Sequence, residues 1–397
     1  MILVINAGSS SIKFRLFNDS DKKNPIDILD GIAERITIGG DVSFKYEGKK
    51  YEYEVALPNH EVAIKFILDK LIELNIISNV DDISAVGFRV VHGGTISKSS
   101  IINDDVFNKI KDAVKLAPLH NPGAITAIEA VKKVMPKAEL VACFDTAFHQ
   151  TLAEEQYLYA VPYSWYQKYG VRKYGFHGIS YQYITEKMSE VLNKPKDKLN
   201  LIVCHLGNGA SIACIKNGKS FDTTMGLTPL AGVMMGTRSG DIDPSIIEYM
   251  CKQLNTDASK ITNMLNKESG LLGVSGKSSD MRDVAGGYFS GDSDFKRALN
   301  KYTQVAADYI IRFANLLGHD IDAIVFTAGV GENSAHTRQF TLQKLPLLDI
   351  KLDMDKNEER NYKDYKYISA ADSKIKVLAF RTNEELMICK DTISLTK

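Results

Sequence analysis

Two strand–turn–strand units, one opening each half of the chain, constrain its fold more than any other feature. The first is Ile2-Leu-Val-Ile-Asn6-Ala-Gly8-Ser9-Ser10-Ser11-Ile-Lys13-Phe-Arg-Leu16. The second is Leu201-Ile-Val-Cys-His205-Leu206-Gly207-Asn208-Gly209-Ala-Ser-Ile-Ala-Cys-Ile215. In each, an apolar run meets a small polar turn and an alternating run leaves it, the pattern of two strands of a hairpin. Ile12, Phe14 and Leu16 fall on one face of the outgoing strand, Lys13 and Arg15 on the other. Gly207 and Gly209 around Asn208 are expected to supply positive φ and to let backbone N–H groups approach a ligand. N–H groups gathered in such a turn cradle an anion, with phosphate the natural guest. A single turn of this kind is more often an ordinary hairpin; two copies are a signal about the whole fold.

Composition bounds the rest. A chain of 397 residues suits two domains. Its 49 basic residues balance 49 acidic ones, so there is no basic footprint for nucleic acid. Cys143, Cys204, Cys214, Cys251 and Cys389 are odd in number and scattered, mostly in apolar runs. They fit reduced core thiols in a cytoplasmic protein rather than a disulfide framework or a zinc site. No apolar run approaches membrane-spanning length, and Met1–Ile5 is too short for a secretory leader.

Along the first half, strands are expected at 26–36, 42–46, 51–57, 83–91 and 139–144. Helices are expected at 60–74, 106–116 and 124–134, with a rigid polar loop over 117–122. Arg89 stands inside an apolar strand that runs into Gly93-Gly94, a costly place for an unpaired guanidinium. Such an arginine is either bridged to a structural carboxylate or a fork for an anionic ligand. Asp145 falls at the C-terminal end of the last strand, where α/β sheets place ligands. In the second half, His177 sits among glycines in Tyr174-Gly175-Phe176-His177-Gly178, a ligand-facing setting. Arg238 lies in the polar loop Met235-Gly-Thr-Arg238-Ser-Gly-Asp-Ile-Asp-Pro244. Helices are expected at 245–254, 258–265 and 294–317. A buried strand from Ala323 feeds the turn Gly329-Val330-Gly331-Glu332-Asn333, and strand 377–380 and helix 384–393 close the chain. Ser275-Gly-Lys-Ser278 and Gly218-Lys-Ser220 mimic the end of a P-loop, but Leu271 and Ala213 stand where its first glycine belongs.

The duplicated hairpins suggest the sugar-kinase and actin-like ATPase superfamily. More specifically, a set of motifs resembles the acetate kinase family. They are Asn6-Ala-Gly-Ser-Ser-Ser11, Arg89-Val-Val-His-Gly-Gly94, Phe144-Asp-Thr-Ala-Phe-His-Gln150, Tyr174–Gly178, His205–Gly209, Met235–Pro244, Thr327–Asn333 and Thr382-Asn-Glu-Glu-Leu386. They run in the family's order from residue 2 to beyond residue 386, which is far more specific than any one of them. The resemblance implies an α/β fold of two RNase-H-like domains, a duplicated βββαβαβα, facing across a nucleotide cleft. The expected division is 1–150, with the C-terminal helix 384–397 packed on it, and 151–383 for nucleotide binding and dimerisation.

The implied reaction is reversible, Mg²⁺-dependent transfer of the ATP γ-phosphoryl group to acetate, giving acetyl phosphate and ADP. Several negative charges meet in that step, so catalysis should rest on positioning and cations. The resemblance makes Arg89, Asp145, His177 and Arg238 the catalytic group, with both arginines clamping carboxylate and phosphoryl. Asp145 is the family's acid/base, yet a carboxylate nucleophile needs no deprotonation near neutrality, which favours an orienting role. Arg89, Val91, Leu119, Phe176 and Pro229 would hold the acceptor. ATP would be held by Ser9, Ser11 and Lys13, by His205, Leu206, Gly207, Asn208 and Gly209, by Asp280, Met281 and Arg282, and by Gly329, Val330, Gly331, Glu332 and Asn333. Asn6 and Glu384 would support Mg²⁺, with Mn²⁺ a substitute, and the chain would form a cytoplasmic homodimer. Phe88, Tyr181, Asn121-Pro122-Gly123 and Ser239 depart from the family's usual residues without removing any of these groups. A propionate or butyrate kinase is the sister reading; an actin-like ATP switch without an acceptor is the remote one.

Overall fold

The computed structural model describes residues 1–318 and 320–396. Its contacts divide into two compact units, Met1–Gln150 with Asn383–Lys397, and Thr151–Thr382. Lys397, the last residue of the expected C-terminal helix, lies outside the described residues.

The first unit contains β1 (Ile2–Ala7), β2 (Ile12–Asn18), β3 (Ile26–Glu34), β4 (Asp41–Tyr46), β5 (Lys49–Glu54), β6 (Ala85–Val90), β7 (Ser100–Ile101) and β8 (Glu139–Phe144). They form one sheet in the order β5-β4-β3-β2-β1-β6-β8-β7. The second unit contains β9 (Leu201–Leu206), β10 (Ala210–Lys216), β11 (Lys219–Thr223), β12 (Ala323–Thr327), β13 (Tyr365–Tyr367) and β14 (Lys376–Phe380), ordered β11-β10-β9-β12-β14-β13. One plan underlies both. An antiparallel meander (β1–β2–β3, β9–β10–β11) is extended from its first strand by two parallel strands (β6 and β8, β12 and β14). The central strands β9 and β12 are buried along their whole length, as parallel strands covered on both faces must be. β2 alternates buried Ile12, Phe14 and Leu16 with more exposed Lys13 and Arg15, as its sequence predicts. The insertions β4, β5 and β7, and the run of helices between β11 and β12, interrupt the simple βββαβαβα order.

Helices His60–Glu73 and Asn121–Val134 pack on each other, the first burying Ile64, Ile67, Leu68 and Leu71. Asn59, Asn103, Asp280 and Asn383 cap helices through their side-chain oxygens, the usual N-terminal device. Helix Glu384–Leu395 belongs to the first unit and lies on β6, β1 and β8. Gly87 makes that seat possible: a Cβ there would stand 2.3 Å from Thr392 Oγ1 and 2.7 Å from Ile388 Cγ2.

Several expectations move. The expected helix 106–116 is a helix Asp104–Asp112 followed by a 3-10 turn Ala113–Lys115. Asn121 and Pro122 are not loop but the first turn of their helix, where proline's missing N–H costs nothing. Helices Gly178–Leu192 and Met281–Phe289 were not anticipated. Among the described residues no helix is long and apolar enough to cross a membrane.

Candidate active site

In the first unit, parallel pairing sets Arg89 beside Cys143 and Val90 beside Phe144, so Asp145 emerges next to the arginine. The Asp145 N–H donates to Val90 O at 3.0 Å, which fixes that exit. Arg89 then grips Asp145 with two parallel bonds, Nε to Oδ1 at 3.0 Å and Nη2 to Oδ2 at 2.8 Å. Its third nitrogen, Nη1, lies 4.0 Å from Glu384 Oε2 at the start of the C-terminal helix. Burial would depress the Arg89 pKa, but Asp145 and Glu384 more than reverse that and hold it charged. Burial pushes the Glu384 carboxyl up to about 7; Arg89 and Lys13 oppose that shift, while Asp145 and Glu385 add to it.

The β1–β2 turn is braced from behind. Gly8 donates to Ser11 O at 2.8 Å, and the His60 ring nitrogen Nε2 meets Gly8 O at 2.8 Å. Gly123 is needed there, because a Cβ on it would come within 2.6 Å of the Gly8 carbonyl carbon. Ser9 and Lys13 are exposed and Ser11 is half-buried. His92, at the other end of the cluster, is fully buried; burial lowers its pKa to about 4. Asn121 clasps it from both sides, accepting from His92 N at 3.1 Å and donating to His92 O at 2.9 Å.

In the second unit, His177 precedes helix Gly178–Leu192 with φ +58°, a left-handed conformation uncommon outside glycine. Such strain collects where a side chain must be aimed. Its Nδ1 bonds Ser211 Oγ at 2.8 Å, and Tyr181 OH reaches the same oxygen at 2.5 Å. The His177 ring stacks on His205 at 4.0 Å, and His205 Nδ1 bonds Ser180 Oγ at 2.9 Å. Tyr181 thus fills its position as a buried hydrogen-bonding partner. Arg238 bonds only neutral groups, Pro229 O at 3.2 Å and Met235 Sδ at 3.8 Å. Among the described residues no carboxylate pairs with it, and burial lowers its pKa. Both side chains converge on Gly209, where a Cβ would lie 3.5 Å from Arg238 Nη1 and 3.8 Å from His177 Nε2.

Beside that turn, the second unit holds a cavity of about 1230 Å³. Its lining includes Gly207, Asn208, Asp280, Met281, Arg282, Gly329, Val330, Glu332 and Asn333 of the expected nucleotide residues. His205, Leu206, Gly209 and Gly331 are not in the lining: Leu206 is core, and Gly331 O accepts from Arg338 Nη1 at 2.8 Å. Among the wall positions that escaped sequence reasoning are Phe289, His336, Arg338 and Tyr362. Phe289 stands exposed and 4.4 Å from the His336 ring, an aromatic pair that spacing alone does not reveal.

Other expectations are corrected. Gly207, Asn208 and Gly209 all have negative φ. A Cβ at 207 would crowd Gly209 O at 3.1 Å, so glycine eases the turn there, whereas a Cβ at 209 would make only ordinary contacts. The expected strand 83–91 ends at Val90, so Val91 lies just past β6. Leu119 is 61% exposed, Phe176 is core and Pro229 is half-buried. The P-loop mimic is excluded, because Lys277 is taken by Asp292 at 2.5 Å and Asp294 at 3.1 Å.

The meander-plus-two-strand core built twice defines the class: a duplicated actin-like α/β protein. The Acetokinase family model matches residues 1–390, and the chain belongs to that family. It is 86% identical over 397 residues, the whole of both chains, to an acetate kinase of Mesoplasma florum. Its fold superposes on the crystal structure of Porphyromonas gingivalis acetate kinase with TM-score 0.94 and 39% identity, covering 100% of this chain and 99% of that one. A propionate kinase from Francisella tularensis gives TM-score 0.92 and 41% identity, covering 99% of each chain.

Proposed function

We propose that this chain is a phosphotransferase that moves the γ-phosphoryl group of ATP to acetate, reversibly, giving acetyl phosphate and ADP. The observation that carries it is Arg238, a guanidinium partly withdrawn from water with no carboxylate partner among the described residues, aimed with His177 at the glycine turn that borders the cavity. An uncompensated cation of this kind is stabilised by an incoming anion. A nucleotide in the cavity would lay its phosphates over Gly207–Gly209, presenting the γ-phosphoryl to Arg238 and His177. Ser9, Ser11 and Lys13 would offer phosphate contacts on the first unit's own turn.

Arg89 would take the acetate carboxylate with its Nη1 edge, oriented by the Asp145 fork. That supports an orienting role for Asp145 over an acid/base one. Val91 and Leu119 would offer the methyl group apolar contact, and exposed Leu119 supports this by lacking apolar cover of its own. Asn6 and Glu384 would support Mg²⁺, since both offer side-chain oxygen. Few protein ligands suit an ion that keeps much of its water. When bound, the ion would offset phosphate charge and orient oxygens.

Exposed Tyr163, Trp165, Tyr169 and Tyr249 on the second unit support a homodimer formed through it. The similarity to a propionate kinase keeps the longer acid in view, while 86% identity to an acetate kinase favours acetate. A coupled ADP-release assay with and without acetate tests the proposal, and acetate-independent turnover would sink it. Gly286→Leu tests the cavity. Open space surrounds Gly286 in a helix on the cavity wall, so leucine suits the backbone while obstructing the nucleotide.

A further inference from the structure

Glu332 was expected among the ATP contacts, and it does line the cavity. Its carboxylate is nevertheless committed elsewhere. The single oxygen Oε1 accepts from Ala328 N at 2.9 Å and from Thr382 N at 3.0 Å. Both donors occupy critical places. Ala328 has φ +64°, a left-handed backbone that alanine adopts only at a cost, and it opens the short helix Ala328–Asn333 whose residues wall the cavity. Thr382 is the last residue of the second unit; the chain then continues into Asn383, which caps the helix beginning at Glu384.

Thr382 is held a second time. Its Oγ1 meets Ser180 Oγ at 2.8 Å, and Ser180 Oγ meets His205 Nδ1 at 2.9 Å. The far end of the short helix is fixed as well, with Arg338 Nη1 donating to Gly331 O and Glu332 O at 2.8 and 2.9 Å. The turn therefore has one strained residue, and the Glu332 carboxylate bonds directly to its N–H. Burial raises the Glu332 pKa while the Thr382 and Ala328 N–H groups lower it, as expected of a carboxylate whose work is to accept backbone donors.

We propose that Glu332 is a positioning residue whose one oxygen holds both the strained entry to the nucleotide turn at Ala328 and the exit of the chain at Thr382 toward Glu384. It thereby sets the nucleotide wall and the path by which the chain leaves the second unit together. This rests on the reading that the cavity takes the nucleotide, and the Gly286→Leu variant tests that reading separately. ADP affinity unmoved by Gly286→Leu overturns the cavity reading, whatever Glu332 does.

The experiment compares Glu332→Ala, Glu332→Gln, Ala328→Gly and the double variant Ala328→Gly/Glu332→Ala as full chains. It reads ADP affinity by calorimetry, KM for ATP, kcat, and thermal unfolding to confirm folding. Glu332→Ala strands two donors and is expected to weaken ADP binding roughly tenfold and to lower kcat by a similar factor. Glu332→Gln keeps an oxygen acceptor and should recover most of both. Glycine at 328 removes the backbone strain, so the double variant should regain ADP affinity and KM but not kcat, because the Thr382 N–H is still left without its acceptor. Recovery of kcat along with affinity would overturn the Thr382 limb. Failure to recover affinity in a folded double variant would overturn the Ala328 limb. A Glu332→Gln as impaired as Glu332→Ala would overturn the acceptor role altogether.

Discussion

The two arginines expected to clamp the reacting groups are set up in opposite ways. Arg89 is satisfied: two of its nitrogens are locked on Asp145 and its third faces Glu384. Arg238 is unsatisfied as a charge, with a carbonyl and a thioether for company. On the proposed function, one reaction would use a cation in two ways. A guanidinium held by carboxylates is a rigid fork that keeps its shape whether or not a ligand is present. One left without a counter-charge waits for an anion, and its attraction peaks when the most charge arrives.

Stability separates the two most sharply. Arg89→Ala would leave Asp145 and Glu384 buried without their cation, and is expected to cost about 3–5 kcal/mol in chemical denaturation. Arg238→Ala removes an uncompensated charge and should leave the unfolding midpoint unchanged or slightly higher. Equal losses in the two variants would erase the distinction. Activity should not separate them: each is expected to lower kcat roughly 10²- to 10³-fold while ADP affinity changes little. Near-wild-type kcat in either folded variant would remove that arginine from the chemistry.

The rigid side also carries an acid limit. His92 has a folded pKa of about 4 against 6.5 unperturbed, because burial disfavours its charged form. Below pH 6.5 the unfolded chain takes up the proton first, so stability should fall as the pH drops toward 4, by about 3 kcal/mol in all. His92→Asn should flatten that slope, since its side-chain oxygen can replace Nδ1 as acceptor for Gly94 N at 3.0 Å. An unchanged pH profile of the denaturation midpoint would show that His92 does not set the limit.

The smallest effect concerns the acceptor near Arg89. Each added methylene can gain at most about 0.8 kcal/mol where room exists, and a clash costs more. Acetate should therefore lead in kcat/KM, propionate follow and butyrate trail, with Val91→Ala shifting the ratio toward propionate. A wild-type preference for butyrate would hand the case to the sister reading.

Much of the fold was legible because it is written in local periodicity. The run through Leu201–Leu206 is apolar enough for a strand covered on both faces, and β2 alternates residue by residue. Asn59 and Asn103 mark helix starts through their own side chains. Val91 was harder, because a strand's end is decided by where its partner stops, and β6 pairs with β8 only as far as Val90. Helix Met281–Phe289 carries Gly286 and Gly287, which blur its period; Gly287 is there because a Cβ would strike Phe295 at 1.9 Å.

The sequence by itself determined the two hairpins and their order, the family, and the residue types at Arg89, Asp145, His177 and Arg238, because strand period and motif spacing are properties of neighbours in the chain. Only the tertiary structure decided what each of those groups faces. Arg89 and Asp145 meet across parallel strands 56 positions apart, and Arg238 meets no carboxylate at all among the described residues. Glu332 lines the cavity, and only its contacts through space show that its oxygen also holds Ala328 and Thr382. Charge compensation and hydrogen-bond partners are set by distances through space, which no local pattern encodes.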